Sequence, residues 1–168
     1  RAVRKVADEK GILIVLDISL VCENMYFIKM REPEFMDKTP AEILRTLCDL
    51  ADIIYFSARK ISCSRGGGIA TKNRDLYLKM RDKVPLFEGF LTYGGISVRE
   101  IESMAIGLHE AVDWNVIRHS PEFIKYLVDS LDAKGIPVIT PAGGLGAHLD
   151  ARGFLPHLTS FDYPAGAL

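Results

Sequence analysis

The chain has 168 residues, of which 48% are hydrophobic and 26% are charged, and its formal net charge is −1. This composition is typical of a globular protein, and the length allows one large domain with a substantial core. The scattered basic residues argue against nucleic-acid or membrane-surface binding, and no apolar run reaches the roughly 18 residues that a membrane-spanning helix needs.

The cysteines indicate a reducing compartment. Cys22, Cys48 and Cys63 are odd in number and form no CxxC pair, so a cytoplasmic location is expected. No group of His, Cys, Asp and Glu residues has the spacing of metal ligands. The chain starts at Arg1 inside a predicted helix, without an initiator methionine, and we therefore expect it to be a section of a longer polypeptide.

The first half of the chain alternates predicted helices and strands. A helix over 1–10, which ends at Gly11, is followed by a strand over 12–16 and a helix over 22–31. Next come a helix over 39–50, which begins with the capping box of Thr39 and Glu42, and a strand over 53–56. The continuous apolar run of the first strand is typical of a parallel strand that is covered on both faces. The alternation predicts an α/β fold with a mainly parallel sheet.

The second half predicts further helices and then a change of architecture. A strand over 69–71, a helix from Asn73 to 82 and an ordered loop over 85–96 come first. A helix then begins at the capping box of Ser97, and its apolar face consists of Ile101, Met104, Ala105, Leu108 and Val112. The last predicted elements are a helix from Ser120 to Gly135 and two short antiparallel strands over 136–139 and 147–150. A strand pair after two long helices indicates a second domain. We therefore expect residues 1–116 to be part of a large domain and residues 117–168 to begin a smaller α+β domain.

Polar residues follow both strands of the predicted parallel pair. Asp17 ends the first strand, and Ser57-Ala58-Arg59-Lys60 ends the second, ahead of the glycine run 66–68. The carboxyl ends of parallel strands are where α/β sheets bind ligands. A lysine at the end of a buried strand is suited to form a Schiff base, because a dry site lowers the pKa of its amine.

These residue types match the needs of pyridoxal phosphate. Lys60 would supply the Schiff-base amine, Ser57 and Arg59 would bind phosphate together with the glycine amides, and Asp17 would hold the pyridine nitrogen protonated. Two other interpretations stay open at this level. Asp17 can be a turn cap and Lys60 a solvated strand end, with the glycines in a hairpin. SxxK also carries the serine nucleophile of penicillin-binding enzymes, although the SDN and KTG partner motifs are absent here.

The chain resembles the family of tryptophanase and tyrosine phenol-lyase along essentially its whole length. The segments that carry the resemblance are Leu16–Ser19, Glu23–Lys29, Ser57–Lys60 with Gly66-Gly67, Phe87–Gly95, Met104–Leu108, Leu149–Arg152 and Phe161–Ala165. The resemblance contains no large gaps and would cover the middle of such an enzyme, roughly a third of its length.

This resemblance implies a fold-type-I pyridoxal phosphate enzyme whose large domain includes residues 1–116. Such a carbon–carbon lyase cleaves the Cβ–Cγ bond of an aromatic amino acid by β-elimination and releases indole or phenol, pyruvate and ammonia. By match, Lys60 is the Schiff-base lysine and the expected base at the α-carbon. Asp17 is the partner of the pyridine nitrogen, and Ser57 and Arg59 are phosphate-binding residues. The family also implies a homo-oligomer, a dimer of dimers, with active sites at the dimer interface.

Four positions depart from the family pattern. Leu20 replaces an arginine near the cofactor, Ile61 replaces an acidic residue after the lysine, and Leu145 replaces a histidine after a glycine pair. Arg65 stands where some members place an asparagine of a monovalent-cation (K+) site. These positions leave open a related enzyme with a different amino-acid substrate, or a truncated or degenerate homologue without activity. The family's main phosphate loop, its stacking aromatic residue and its carboxylate-binding arginine fall outside the 168 residues.

Overall fold

The computed structural model describes all of residues 1–168, which divide into two units, Arg1–Val116 and Ile117–Leu168. The first unit contains a three-stranded sheet and the helices that pack on it, and the second is mostly helical. That these units are part of a cofactor-binding large domain and the start of a small domain stays a prediction. No helix of the chain is both long enough and apolar enough to cross a membrane.

The regular elements follow the alternation expected of an α/β fold. The strands are β1 (Val15–Asp17), β2 (Ile53–Ser57) and β3 (Gly67–Thr71). The helices are α1 (Ala2–Lys10), α2 (Val21–Arg31), α3 (Pro40–Cys48), α4 (Ala58–Ile61), α5 (Arg74–Arg81), α6 (Val84–Phe87), α7 (Val98–Glu110), α8 (Trp114–Asp132), α9 (Ala151–Phe154) and α10 (Pro164–Ala167), with 3₁₀ helices at Pro33–Phe35 and Ser160–Asp162.

The sheet is mixed, in the order β1-β2-β3. β1 pairs in parallel with β2, and β2 pairs antiparallel with β3. The α/β class is thus confirmed, whereas the sheet of these residues is not mainly parallel. The reason is the short connection over 58–66, since a parallel return needs a crossover of about a dozen residues or more.

The predicted helix boundaries that depend on local capping are confirmed. Thr39 and Ser97 each form a full capping box with the glutamate three residues later. The side chain of Asn73 accepts two backbone N–H bonds at the start of α5. Gly11 ends α1 with φ at 62°, a left-handed conformation that glycine adopts without the clash that a Cβ would cause.

β1 is shorter and more exposed than its apolar run predicted. Residues 12–14 precede the paired residues of β1, and two of their backbone donors have partners outside β2. The N–H of Ile12 donates to a carbonyl of α1, and that of Ile14 donates to Asp52 Oδ2 at 2.7 Å. Val15 is 55% exposed, so the prediction of a strand covered on both faces is wrong for these residues.

Three further predictions need correction. The helix expected from Ser120 begins at Trp114, and the Ser120 hydroxyl donates to a carbonyl within the second unit instead of capping a helix. The expected loop over 85–96 begins inside the short helix α6. The two strands expected in the second unit reduce to one antiparallel bridge between Val138 and Leu149, which is too short to form a ladder.

Asp52 connects α1 to the loop before β1. Its Oδ2 accepts a hydrogen bond from Arg4 Nη1 at 2.6 Å and from the N–H of Ile14 at 2.7 Å. The Ile14 N–H and the Arg4 guanidinium both favour the ionised carboxylate and lower the pKa of Asp52. One charged side chain therefore fixes both the helix and the entry to the sheet.

We expect Asp52→Asn to lower the free energy of unfolding of the intact protein by about 1–2 kcal/mol at neutral pH, because two charge-assisted hydrogen bonds weaken. The folded-state pKa of Asp52 is lowered. Its contribution is therefore fully present above the ordinary aspartate pKa of about 3.9, and it is lost as the pH falls through the folded-state value. Urea denaturation at several pH values measures this, and a difference from wild type that widens in acid would contradict it.

Candidate functional site

The predicted site residues of β1 and β2 lie at the carboxyl ends of two directly paired parallel strands. Asp17 is the last residue of β1 and is in register with Tyr55, while Ser57 is the last residue of β2. Side chains alternate along a strand, so Tyr55 and Ser57 share the face of the sheet that carries Asp17. The structure thus brings Asp17 and Ser57 to one edge of the sheet, as the strand pattern predicted.

Ser19 connects the two strand ends. Its backbone N–H donates to Asp17 Oδ1 at 2.8 Å, and its side-chain oxygen accepts the N–H of Ser57 at 2.9 Å. Ser19 is 5% exposed, so its own side of both bonds is shielded from water. The Asp17 carboxylate and the start of the lysine segment are therefore held by one buried hydroxyl-bearing residue.

The environment of Asp17 favours its ionised form. Ser19, through its hydroxyl first and its N–H second, lowers the pKa of Asp17, and Tyr55 and the charge of Lys60 act in the same direction. Reciprocally, the interaction with Asp17 raises the pKa of Tyr55. Asp17 consequently presents a negative charge at neutral pH, which is the state needed to stabilise a cationic partner.

Lys60 and Arg59 lie on α4, the single helical turn that follows β2. Lys60 is close enough to Asp17 for its charge to lower the pKa of the carboxyl. Both basic side chains are exposed, whereas their neighbours Ala58 and Ile61 are buried. The expectation that the strand end alone makes a dry site for Lys60 is therefore wrong, because residues 1–168 leave the side of α4 that carries the lysine open.

Backbone hydrogen bonds close the segment after the lysine into a compact turn. The N–H groups of Ser62 and Ser64 donate to the Ala58 carbonyl at 2.9 and 3.2 Å, and the Ala58 N–H donates to the Gly66 carbonyl at 3.0 Å. The Ser64 hydroxyl donates to the carbonyl of Glu100 on α7 at 2.8 Å. The position of Lys60 is therefore determined jointly by β2 and α7.

The glycine run begins the antiparallel partner of β2, as the hairpin interpretation expected. Gly67 and Gly68 are the first residues of β3 and pair with Ser57 and Phe56. A Cβ at Gly67 would lie 2.2 Å from the Phe56 carbonyl oxygen, so only glycine allows this approach. The glycines thus bring β3 against the end of β2, next to the predicted phosphate-binding residues.

α7 meets the segment after the lysine with small residues in addition to Met104 of the predicted apolar face, whose Cε would lie 3.7 Å from a Cβ at Gly66. A Cβ at Gly107 would lie 2.2 Å from the Ser62 carbonyl oxygen, and Ala111, one turn further on, is also buried. Ile101, assigned to the inner face by the sequence pattern, is 41% exposed. The inner face of α7 therefore includes Gly107, because the backbone of the segment after the lysine packs directly against it.

The departures from the family pattern have distinct surroundings. Ile61 is buried at the end of α4, where an acidic side chain would lose its hydration. Arg65 Nε lies 3.5 Å from Glu100 Oε1 and forms an exposed ion pair. Leu20 is 39% exposed immediately before α2, and Leu145 is 56% exposed in the second unit.

Sequence reasoning missed two residues of the site, Ser19 and Tyr55. The signal for Ser19 is present, since an aspartate often accepts the N–H two residues on in an Asx turn, and Asp17-Ile18-Ser19 has this spacing. Tyr55 lies inside an apolar run and has no comparable signal. Its role depends on the register that pairs it with Asp17.

A family model and individual known proteins both match this chain over most or all of its length. The family model described as beta-eliminating lyase matches residues 1–156. The chain is 41% identical to the tyrosine phenol-lyase of Lacrimispora saccharolytica over 170 residues, which covers 100% of this chain and 36% of that protein. It is 39% identical to the tyrosine phenol-lyase of Pasteurella multocida, a match that covers 100% of this chain and 37% of that protein. It is 36% identical to the tryptophanase of Salinibacter ruber, a match that covers 100% of this chain and 36% of that protein. It therefore spans about a third of the length of these relatives.

Proposed function

Because the chain belongs to the beta-eliminating lyase family, we propose that the protein containing it is a pyridoxal phosphate-dependent carbon–carbon lyase acting on an aromatic amino acid. The observation that carries the proposal is the placement of Asp17 at the carboxyl end of β1 and of Lys60 on the helical turn that directly follows β2, the parallel partner of β1. The products would be pyruvate, ammonia, and indole or phenol. The relatives named tyrosine phenol-lyase and tryptophanase support this substrate class.

The donor set at this edge of the sheet fits pyridoxal phosphate. Asp17 is ionised and can bind a protonated ring nitrogen, Lys60 offers a primary amine, and Ser57 and Arg59 offer a hydroxyl and a guanidinium for a phosphate. When bound, the cofactor supplies an electron-withdrawing ring and an aldehyde that takes up the substrate amine.

Three residues of this chain would then have separate roles in the reaction. Lys60 would remove the proton at the substrate α-carbon, a role that an accessible primary amine can perform. Asp17 would keep its negative charge near neutral pH, because its pKa is lowered in the folded protein. Ser19 would act as a positioning residue, since it binds both Asp17 and the backbone of Ser57.

The proposal is tested with the full-length protein, pyridoxal phosphate, and L-tyrosine or L-tryptophan in separate reactions. We expect equimolar release of pyruvate and ammonia with phenol or indole. Cofactor binding without pyruvate from either amino acid would contradict the substrate class, and the different-substrate alternative would then replace it. Absence of cofactor binding would contradict the enzyme assignment and favour a homologue without activity.

We also propose that the protein is a cytoplasmic homo-oligomer. Large apolar side chains are exposed over residues 86–106, as expected of a surface that another part of the assembly covers. The most exposed of them are Leu86, Phe87, Phe90, Val98 and Ile106, at 63–78%. Light scattering by the intact protein measures the number of subunits, for which the family implies a dimer of dimers.

We propose that Arg65 replaces the monovalent cation of the related enzymes. Its guanidinium lies 3.5 Å from Glu100 Oε1 and places a positive charge beside that carboxylate. We expect kcat to be unchanged when KCl is replaced by tetramethylammonium chloride at equal ionic strength. A kcat that rises with the K+ concentration would contradict this proposal, and Arg65→Asn serves as the matched variant in which K+ dependence is expected to appear.

A further inference from the structure

We propose that the cavity beside α4 is a binding site for a phosphate group and that Arg65 is one of its two guanidinium ligands. The cavity has a volume of about 500 Å³ and is lined by Arg59, Cys63, Ser64, Arg65, Glu100 and Ser103. This volume is within the range of ligand-binding cavities, about 300–1,000 Å³. The inference rests on the proposed function only for the source of the phosphate, since phosphate binding is measured without the reaction.

α4 presents its two basic side chains to different surroundings. Arg59 lines the cavity, whereas Lys60 does not. The charge of Lys60 instead acts on Asp17 at the end of β1. Asp17 and Ser57 are also absent from the cavity lining. The cavity therefore adjoins the site of the carboxylate and the lysine and shares α4 with it.

Arg65 has guanidinium donors to spare. Its Nε lies 3.5 Å from Glu100 Oε1, and its two terminal nitrogens have no hydrogen-bond acceptor in the protein. The Ser64 hydroxyl donates to the Glu100 carbonyl at 2.8 Å, so the backbone next to Arg65 is attached to the start of α7. The terminal nitrogens of an arginine form the fork that binds two phosphate oxygens at once.

The cavity has a net positive charge. Arg59 is exposed, and no carboxylate lies within ion-pair distance of it. Glu100 is the one acidic residue of the lining. Its Oε2 already accepts hydrogen bonds from the N–H and the hydroxyl of Ser97 at 3.1 and 3.0 Å in the cap of α7. Two guanidinium groups thus face a single carboxylate that is bound elsewhere, which favours an anionic ligand.

The remaining polar groups favour an anion over a neutral polar ligand. The hydroxyls of Ser64 and Ser103 donate to backbone carbonyls of α7 at 2.8 and 2.9 Å, so their protons are already used. The backbone N–H groups of Cys63 and Arg65 donate to no acceptor in the protein. The donors left for a ligand are therefore guanidinium and backbone N–H groups, and both types bind phosphate oxygens.

The test uses the full-length protein freed of cofactor and titrated calorimetrically with sodium phosphate at constant ionic strength, then repeated after saturation with pyridoxal phosphate. We expect phosphate to bind the cofactor-free protein. Loss of this binding on saturation would identify the cofactor as the source of the phosphate, and its persistence would identify a separate phosphorylated ligand. Absence of phosphate binding would overturn the proposal. A protein that binds phosphate but no cofactor would contradict the proposed function and leave this site standing.

Variants assign the binding to the cavity. Arg65→Gln and Arg59→Gln should each raise the Kd of phosphate at least ~10-fold, because each removes charge-assisted hydrogen bonds. Arg74→Gln is the matched control, since Arg74 is an exposed arginine at the start of α5 and lies outside the lining. The Kd of pyridoxal, which has no phosphate, should be the same in all three variants as in wild type. Wild-type affinity of the Arg65→Gln protein for phosphate would overturn the assignment.

Discussion

Replacement of Lys60 by alanine in the full-length protein is expected to lower kcat by at least ~10³-fold and to abolish the visible absorption band of the bound cofactor. The magnitude is typical of the loss of a general base, to which the loss of the covalent attachment point is added. Lys60 lies on the exposed turn α4, so its truncation removes no buried contact and the fold should persist. Absorption spectroscopy and steady-state kinetics on the same preparation measure both effects.

Lys79→Ala is the matched control for this variant. Lys79 is also an exposed lysine on a helix, but it lies on α5, away from the carboxyl ends of β1 and β2. We expect its kcat and its absorption band to equal those of wild type. A Lys60→Ala protein that retains the cofactor band would show that another lysine is the attachment point.

Asp17→Asn is expected to have the second largest effect, a decrease in kcat of roughly 10²-fold or more with the cofactor still bound. The asparagine amide preserves the size of the side chain and removes its negative charge, so a protonated ring nitrogen loses its electrostatic partner. The pKa of Asp17 is lowered, chiefly by Ser19, and the carboxylate is therefore fully ionised near neutral pH. Loss of its charge should accordingly affect wild-type activity only in acid, as the pH falls through that lowered pKa.

Asp82→Asn supplies the control, because Asp82 is an exposed aspartate that follows α5. We expect it to retain wild-type kinetics and a wild-type spectrum. The spectrum of the Asp17→Asn protein distinguishes a loss of electrostatic stabilisation from a loss of cofactor. Unchanged kcat in this variant would exclude Asp17 as the partner of the ring nitrogen.

Local sequence patterns predicted the boundaries that depend on local interactions. The capping boxes at Thr39 and Ser97 and the left-handed Gly11 all have the predicted conformation. Each depends on hydrogen bonds or steric limits within a few residues, which a short stretch of sequence contains in full. The same holds for β2, whose apolar run and polar end identified the strand that precedes the lysine.

Patterns that depend on distant partners were less informative. The hydrophobic period of α7 selected Ile101 for the inner face, whereas the helix buries Gly107 against the Ser62 backbone. Small residues contribute little to a hydrophobic pattern, so a close backbone contact is not visible in it. Similarly, the glycine run left two interpretations open, phosphate-binding amides and a hairpin, because nothing local shows that Gly67 pairs with Ser57 across a sheet.

The sequence by itself identified the α/β class and the two strand ends that carry Asp17 and Lys60, since strand, turn and residue type are encoded locally. Only the tertiary structure showed that Ser19 holds the Asp17 carboxylate and the Ser57 backbone together. This arrangement joins residues 38 positions apart along the chain. Its geometry is set by strand register, which arises only when the whole unit folds.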